Sequence, residues 1–404
     1  MLGVTALVLS ALGGCGGGGG TAKVLYALGL GSPSVTIFTV SGTGGLTVAN
    51  SVGTGSAPSA IVFDPAHRFA YIVDSTGGIG PGGVSQYVLN SKSGALAVAT
   101  FSSTNGTRPP SSPVETGNNP SGIVVDSSGT YVFVANQGSD SISDFMIDQI
   151  GGTLTEVKYP PAAPPIPNAC TPNTGGSCPL SIAPASPTGL ATTGNMLFVA
   201  ISTAGVGSVS TYTFDTTTGI LKTPASFTTP PLELNPSAMA MDASAKFLFL
   251  TDSAAGEVEV LSIGNTGQLT PVNQQAPCAA HTCATGPTPL NAGVHPSGKF
   301  LYTANQGSTV GGVSCVGGSV SAYSIDSSGA LTPLSGSPFA AGACPSYVAT
   351  DSAGSFLFVA NGSPNNTTNN TISVFSIDSS GALKQTGTPF PSMVINPVAL
   401  ASIN

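Results

Sequence analysis

Hydrolytic chemistry near neutral pH needs a side chain that can take and return a proton, and this 404-residue chain holds 3 His and 17 acidic residues. His67 and His295 stand in "DPAHRF" and "VHPSGK", turn sequences in which a solvated histidine is the ordinary occupant. His281 lies inside "CAAHTC", between Cys278 and Cys283. That stretch offers at most three metal ligands and reads first as a disulfide loop, so no metal is expected. Histidines so placed give no Ser-His-Asp arrangement. Asp64, Asp126, Asp242 and Asp351 fall in one kind of tight turn, and Asp148, Asp215, Asp326 and Asp378 in another. There an aspartate bonds its own backbone. Asp74, Asp252, Glu115 and His281 remain as the groups placed to serve as a general base.

Two further sets recur through the chain. Ser59, Ser121, Thr188, Ser237 and Ser346 each follow a proline, and Asp74, Asn136, Asp252, Asn305 and Asn361 each end an apolar run. Both sets could hydrogen-bond a polyol, sugar or lactone, and both could equally cap loop backbone. Tyr347 and Asn291 replace the small residues found beside the other hydroxyls, which would make one side of such a ring distinct.

The elements that carry these residues are short strands. Units begin "PSAIVFDPAHRFAYIVD" at Pro58, "PSGIVVDSSGTYVFVAN" at Pro120 and "PTGLATTGNMLFVAI" at Pro187. They continue with "PSAMAMDASAKFLFLTD" at Pro236, "PLNAGVHPSGKFLYTAN" at Pro289 and "PSYVATDSAGSFLFVAN" at Pro345. In each, an apolar run (A) meets an Asp/Gly turn and an alternating run (B) follows. A variable loop leads to a run such as "VSAYSID" (C), then "SSGAL" and a last run (D). Four strands at this interval are the signature of a propeller blade. "AKVLYALGLGSPSVTIFTVSGTGGLTV" supplies B, C and D of a seventh blade, and the terminal "INPVALASIN" supplies its A. The expected fold is therefore an all-β seven-bladed propeller of four-stranded antiparallel blades over residues 22–404. Its C-terminal strand should pair into the N-terminal blade and close the ring. Pro224, Pro271, Pro333, Lys222 and Lys384 would protect the outer D edges.

"HPSGKFLYTANQGS" and "DSSGTYVFVANQGSD", followed by hairpins like "SIDSSGALTP", resemble the YVTN-type and lactonase-type seven-bladed propellers, the family that includes bacterial 6-phosphogluconolactonase. The resemblance covers nearly everything after residue 22 and implies the fold. It also implies hydrolysis of a lactone, although the matching residues are turn and core positions.

The A–B and C–D turns share one face and are minimal: "DSSG", "DSAG", "HPSG", "NTGQ". The B–C loops and D-to-A connections are expected on the other face. It would then carry the long stretches after Asp74, Phe101, Asn305 and Asn361, the segment 159–185, and all six cysteines of the body. Proximity favours the pairs Cys170–Cys178, Cys278–Cys283 and Cys315–Cys344 among 15 possibilities.

Residues 1–15 read as an export signal: an apolar run over residues 2–12, too short to span a bilayer, and "LGGC", which resembles the lipobox of bacterial lipoproteins. Cys15 would be lipidated, residues 16–21 would form a Gly-rich tether, and membrane contact would be through this anchor alone. The −8 charge and scattered basic residues exclude nucleic acid. The uncharged A runs offer no cage for a cofactor, and the absence of Trp speaks against quinone-dehydrogenase propellers. The leading expectation is a monomeric, envelope-anchored, non-catalytic scaffold. Its partner would be a glycan, a small polyol or lactone, or an envelope protein on the long-loop face. The alternative is a sugar-lactone hydrolase.

Overall fold

The computed structural model describes residues 23–75, 80–99, 112–159, 180–182, 186–203, 206–222, 236–279, 281–310, 314–363 and 366–403. Seven antiparallel sheets form blades around one axis, each ordered A-B-C-D from the inside outward. Blade 1 takes B, C and D from Val24–Gly29, Ser32–Val40 and Leu46–Gly53, and its A strand is Pro397–Ile403. The register Val24↔Ile403 through Gly29↔Pro397 closes the ring, as the sequence requires. Lys23 Nζ adds an ion pair of 2.9 Å to Asp351 Oδ2 in blade 7, across the same seam.

The B strands depart from the alternating pattern read in the sequence. Val24–Gly29, Phe69–Asp74 and Tyr131–Asn136 are buried at every position, because each sheet is covered on both faces by its neighbours. Apolar clusters accordingly straddle pairs of blades: Phe133 and Ile142 of blade 3 meet Leu197, Phe214 and Leu221 of blade 4. Tyrosines on the B strands stitch one blade to the next. Tyr26, Tyr71 and Tyr302 donate to the carbonyls of Gly94, Gly152 and Gly381, in the C–D turns of blades 2, 3 and 7. Gly94 must be glycine there: φ is +71°, and a Cβ would lie 2.5 Å from Val24 Cγ2.

The A–B turns behave as expected. Asp64, Asp126, Asp242 and Asp351 are buried, and each Oδ1 accepts two backbone N–H groups, as Asp126 does from Thr130 (2.7 Å) and Tyr131 (2.6 Å). His295 fills the same place in blade 6, and its Nε2 lies 2.9 Å from Gly354 O of blade 7.

The outer edge corrects one expectation. In blades 2, 3, 5, 6 and 7 the D strand ends after about three residues, and a second short strand then pairs with the same C strand. In blade 3, Leu154–Glu156 covers one end of the C strand and Leu180–Ser181 the other. Blade 1 does this with one strand and a bulge between Val48 and Asn50. The long segments after Phe101 and Tyr159 therefore leave and rejoin the outer wall at mid-height. Ala99 N donates to Gln86 O and Val114 returns opposite Val84, while Val157 N donates to Asp144 O and Leu180 returns opposite Ile142. They are insertions within outer strands and do not spring from the channel mouth.

Two disulfides form as expected. Cys278–Cys283 closes such a wall insertion in blade 5. Cys315–Cys344 ties the B–C hairpin of blade 6 (Ser308–Val310 with Ser314–Val316) to the connection entering blade 7. Cys15, Cys170, Cys178 and Pro224 lie outside the described residues.

Candidate functional site

The residues that end the B strands sit one layer beneath the elaborated face. Asp74, Asn136, Asp252, Asn305 and Asn361 are all buried. Asn136 Nδ2 donates to Ser141 Oγ (3.2 Å) and Ser143 Oγ (3.0 Å) of its C strand. Asn305 repeats this with Ser319 and Ser321, and Asn361 with Thr371 and Ser373. The same C-strand serine accepts the N–H of a glycine in the incoming connection: Gly117 on Ser143, Gly286 on Ser321, Gly342 on Ser373. Glycine is needed because its α-carbon lies directly on the amide, and a Cβ on Gly286 would be 2.8 Å from Asn305 Nδ2. Each knot thus pins connection, B strand and C strand together.

Next to the knot, the residue before the recurring proline is left-handed although not glycine: φ is +52° at Ala57, +47° at Asn119, +55° at Thr288, +53° at Cys344 and +51° at Asn396. Its carbonyl accepts the N–H of the residue that follows the B strand, as Asn119 O does from Gln137. The recurrent small residue or Asn before each proline was the signal for this feature.

In blade 2 the knot carries a carboxylate. Ser85 donates to Asp74 Oδ2 (2.6 Å) and accepts the N–H of Gly55 (3.2 Å), while Asp74 Oδ1 is buried without a partner. Burial pushes this carboxyl up to about 6, against the opposing hydrogen bonds of Ser85 and Gly55. Asp252 differs: its Oδ1 accepts the amides of Ala254 (2.7 Å) and Ala255 (3.0 Å) in its own turn. Blades 2 and 5 stand on different sides of the ring, so these two acids do not converge. Glu115 is exposed on the outer strand of blade 2, two places from Asp74 across Gly83. His281 is half-buried in the disulfide loop of blade 5, with Nδ1 unpartnered.

The hydroxyl ring is half-buried and turned from blade to blade. Ser59, Ser121, Ser237 and Ser346 donate to the carbonyls of Pro120, Pro187, Pro289 and Pro397, each in the next blade, at 3.4, 3.4, 3.1 and 2.6 Å. Thr188 donates within its own blade to Ala200 O. These contacts circle the channel mouth and join the A strands. Tyr347 packs on the clusters shared by blades 1 and 2 and by blades 1 and 7, and burial raises its hydroxyl pKa, opposed by the side chain of Asn291. Asn291 Oδ1 accepts the N–H of Val348.

Two buried acids, Asp144 and Glu259 on the C strands of blades 3 and 5, escaped sequence reasoning. Asp144, in the blade 3 C strand, is buried, with Oδ2 accepting the Tyr159 hydroxyl at 2.6 Å, and burial pushes it up to about 7. Its signal was an acid in the C-strand register where blades 6 and 7 carry Ala322 and Val374. Tyr159 in turn accepts Leu221 N of blade 4, so this pair joins blades.

Two open concavities lie on the minimal-turn face. One of about 430 Å³ is lined by Asp242, Lys246, Ser297 and Asp326, and one of about 390 Å³ by Thr43, Phe356 and Lys384. Among the described residues no His/Cys/Asp/Glu group could hold a metal.

The sequence matches the family described as "Lactonase, 7-bladed beta-propeller" over residues 20–177, 176–284 and 275–391. No curated relative matches it. Among solved structures it is similar to the periplasmic gluconolactonase PpgL of Pseudomonas aeruginosa, with 21% identity, TM-score 0.67, and coverage of 95% of this chain and 99% of that one. A candidate 6-phosphogluconolactonase of Bacteroides fragilis gives 17% identity, TM-score 0.69 and coverage of 95% and 98%. AztD of Citrobacter koseri gives 11%, 0.56, 95% and 98%. At these identities the structural likenesses speak for the fold alone.

Proposed function

The chain belongs to the lactonase family of seven-bladed β-propellers, and from that premise we propose that it hydrolyses a sugar lactone at its elaborated face, outside the cytoplasm. The observation that carries this reading is the family match, whose three overlapping stretches run from residue 20 to residue 391 without a gap. Two similar structures bear gluconolactonase names, one of them periplasmic, which supports a sugar lactone and an exported setting. The Cys278–Cys283 and Cys315–Cys344 bridges favour an oxidising compartment. Anchoring through Cys15 is part of the same proposal.

Asp74, buried just beneath that face, is the residue to which we assign the role of base. Its carboxyl, held at about 6, is ionised at neutral pH yet basic enough to accept a proton, and Oδ1 has no competing donor. Asp74 removes a proton from water as the water oxygen bonds to the lactone carbonyl carbon. The tetrahedral adduct collapses with cleavage of the ring C–O bond, and Asp74 returns the proton to the departing alkoxide oxygen. The product is the open hydroxy acid.

The test is a panel of γ- and δ-sugar lactones, with and without a 6-phosphate, measured against spontaneous opening at each pH. The expected result is catalysed opening whose rate rises through about pH 6, with Asp74→Asn lowering kcat/KM by roughly 10²–10⁴. A wild-type rate equal to background for every lactone overturns the proposal. The second reading, a binding scaffold, is favoured by the separation of Asp74 and Asp252. Retention of an unhydrolysed glycan by wild type would support it.

A further inference from the structure

We propose that the minimal-turn face is the surface laid against the membrane, so that the elaborated face points away from the lipid; this rests on the envelope-anchored reading above. The chain enters the propeller from the minimal-turn face. Lys23, the first described residue, sits at the start of the blade 1 B strand. Its ammonium is fixed there by Asp351 in an A–B turn of blade 7 and by the Phe356 ring, 5.6 Å from the centroid.

Seven residues, 16–22, separate Lys23 from Cys15. Fully extended, the stretch from Cys15 to Lys23 spans about 28 Å. To bring the elaborated face to the lipid, it would have to pass outward beneath two strands, about 10 Å, and then climb the outer D strand. That strand has 8 residues (Leu46–Gly53), a height of about 26 Å. The route is longer than the tether. From the minimal-turn face, by contrast, the path to the membrane is direct, and the turns there are too short to hold the body off.

Charge agrees with this orientation. Among the described residues, Arg68, Lys246 and Lys299 lie in A–B turns, and Lys92, Lys222 and Lys384 lie in or beside C–D turns. With Lys23 these seven cations meet eight acids, Asp148, Asp215, Asp326 and Asp378 in the C–D turns and the buried Asp64, Asp126, Asp242 and Asp351 in the A–B turns, so that face is close to neutral. The elaborated end has Asp74, Glu115, Asp140, Asp252 and Glu257 and, among the described residues, no Lys or Arg. Anionic headgroups therefore repel that end more strongly than the other. A glycan, lactone or protein approaching from outside the membrane meets the stapled, elaborated face first.

The test is amine-acylation footprinting of the full chain, made in a host that processes lipoproteins and reconstituted on phosphatidylglycerol/phosphatidylethanolamine vesicles. The soluble reference is Cys15→Ala. Lys92, Lys246 and Lys299 are exposed reporters of the minimal-turn face, Lys158 reports the outer wall, and Gln137→Lys places an exposed amine on the elaborated face. The expected result is several-fold protection of Lys92, Lys246 and Lys299 on vesicles, with Lys158 and the amine at position 137 unchanged. Inserting fourteen Gly/Ser residues after Gly20 should remove that protection. Protection at position 137, or uniform labelling with Cys15 acylated, overturns the orientation alone. An N-terminal peptide without acyl mass overturns it together with the envelope anchor.

Discussion

Replacing Asp74 by Asn should make the protein more stable, and the gain should depend on pH. Three equivalent knots already use Asn, and Asn136 shows how the amide fits, by donating to Ser143 Oγ at 3.0 Å. Ser85 Oγ can accept the same bond in blade 2 and still receive the N–H of Gly55. What the substitution removes is a buried charge. Burial raises the Asp74 carboxyl from its ordinary 3.8 to about 6, which corresponds to ~3 kcal/mol against the ionised form. The sign follows from proton binding. Between these two values the folded chain holds the proton more tightly than the unfolded chain, so wild-type stability falls as pH rises through that window. Above about pH 6 the full penalty is present, and below about pH 4 it is gone. Urea denaturation of wild type and Asp74→Asn at about pH 7.5 and about pH 4.5 reads this directly. The variant should lead by ~3 kcal/mol at the higher pH and by ~1 kcal/mol at the lower. A variant less stable at pH 7.5, or one with the same lead at both pH values, would refute the reasoning. A residue kept ionised at a stability cost is what a site under functional demand looks like.

Two other perturbations probe the scaffold. Leu400→Ala, in the A strand that closes blade 1, removes a buried side chain from the cluster shared with blade 7; denaturation should show a loss of ~2–5 kcal/mol, and a loss below ~1 kcal/mol would mean that the seam is not held there. Asp126→Ala strands the buried amides of Thr130 and Tyr131 and should cost ~2–4 kcal/mol, whereas Asp378→Ala in an exposed C–D turn should move the urea midpoint far less; equal effects would contradict the distinction between the two turn types.

The propeller was legible because its signals are local and repeated. A proline, an Asx/Gly turn and a C–D hairpin recur within a single stretch of chain, and the missing A strand of blade 1 could be found at the other terminus. The split outer strands were not legible. Leu180–Ser181, Phe339–Ala340 and Phe390–Pro391 are two residues long, too short to show period-two alternation. The sequence therefore places all the long segments on the elaborated face, whereas two of them depart from the outer wall. The role of Asn136, Asn305 and Asn361 was hidden for a different reason. Their knots join a B-strand end, a serine in the next strand and a glycine in the preceding connection, which no single window contains. The A–B turn acids were read correctly because both partners of each bond lie within five residues.

In a repeat protein the informative residues are those that depart from the repeat while keeping its geometry. At the B-strand ends, Gly29 and Ile201 drop the polar group altogether, and Asn136, Asn305 and Asn361 keep a neutral one. Only Asp74 and Asp252 introduce charge. Asp252 binds two amides of its own turn. Asp74 keeps the full knot to Ser85 and Gly55, leaves Oδ1 without a donor and holds its proton more tightly than a solvated carboxyl. If the knot served only to pin the connection, Asn would do so at lower cost, as it does in blades 3, 6 and 7. The charge in blade 2 therefore calls for a reason outside the scaffold, and the lactone hydrolysis proposed above would supply one.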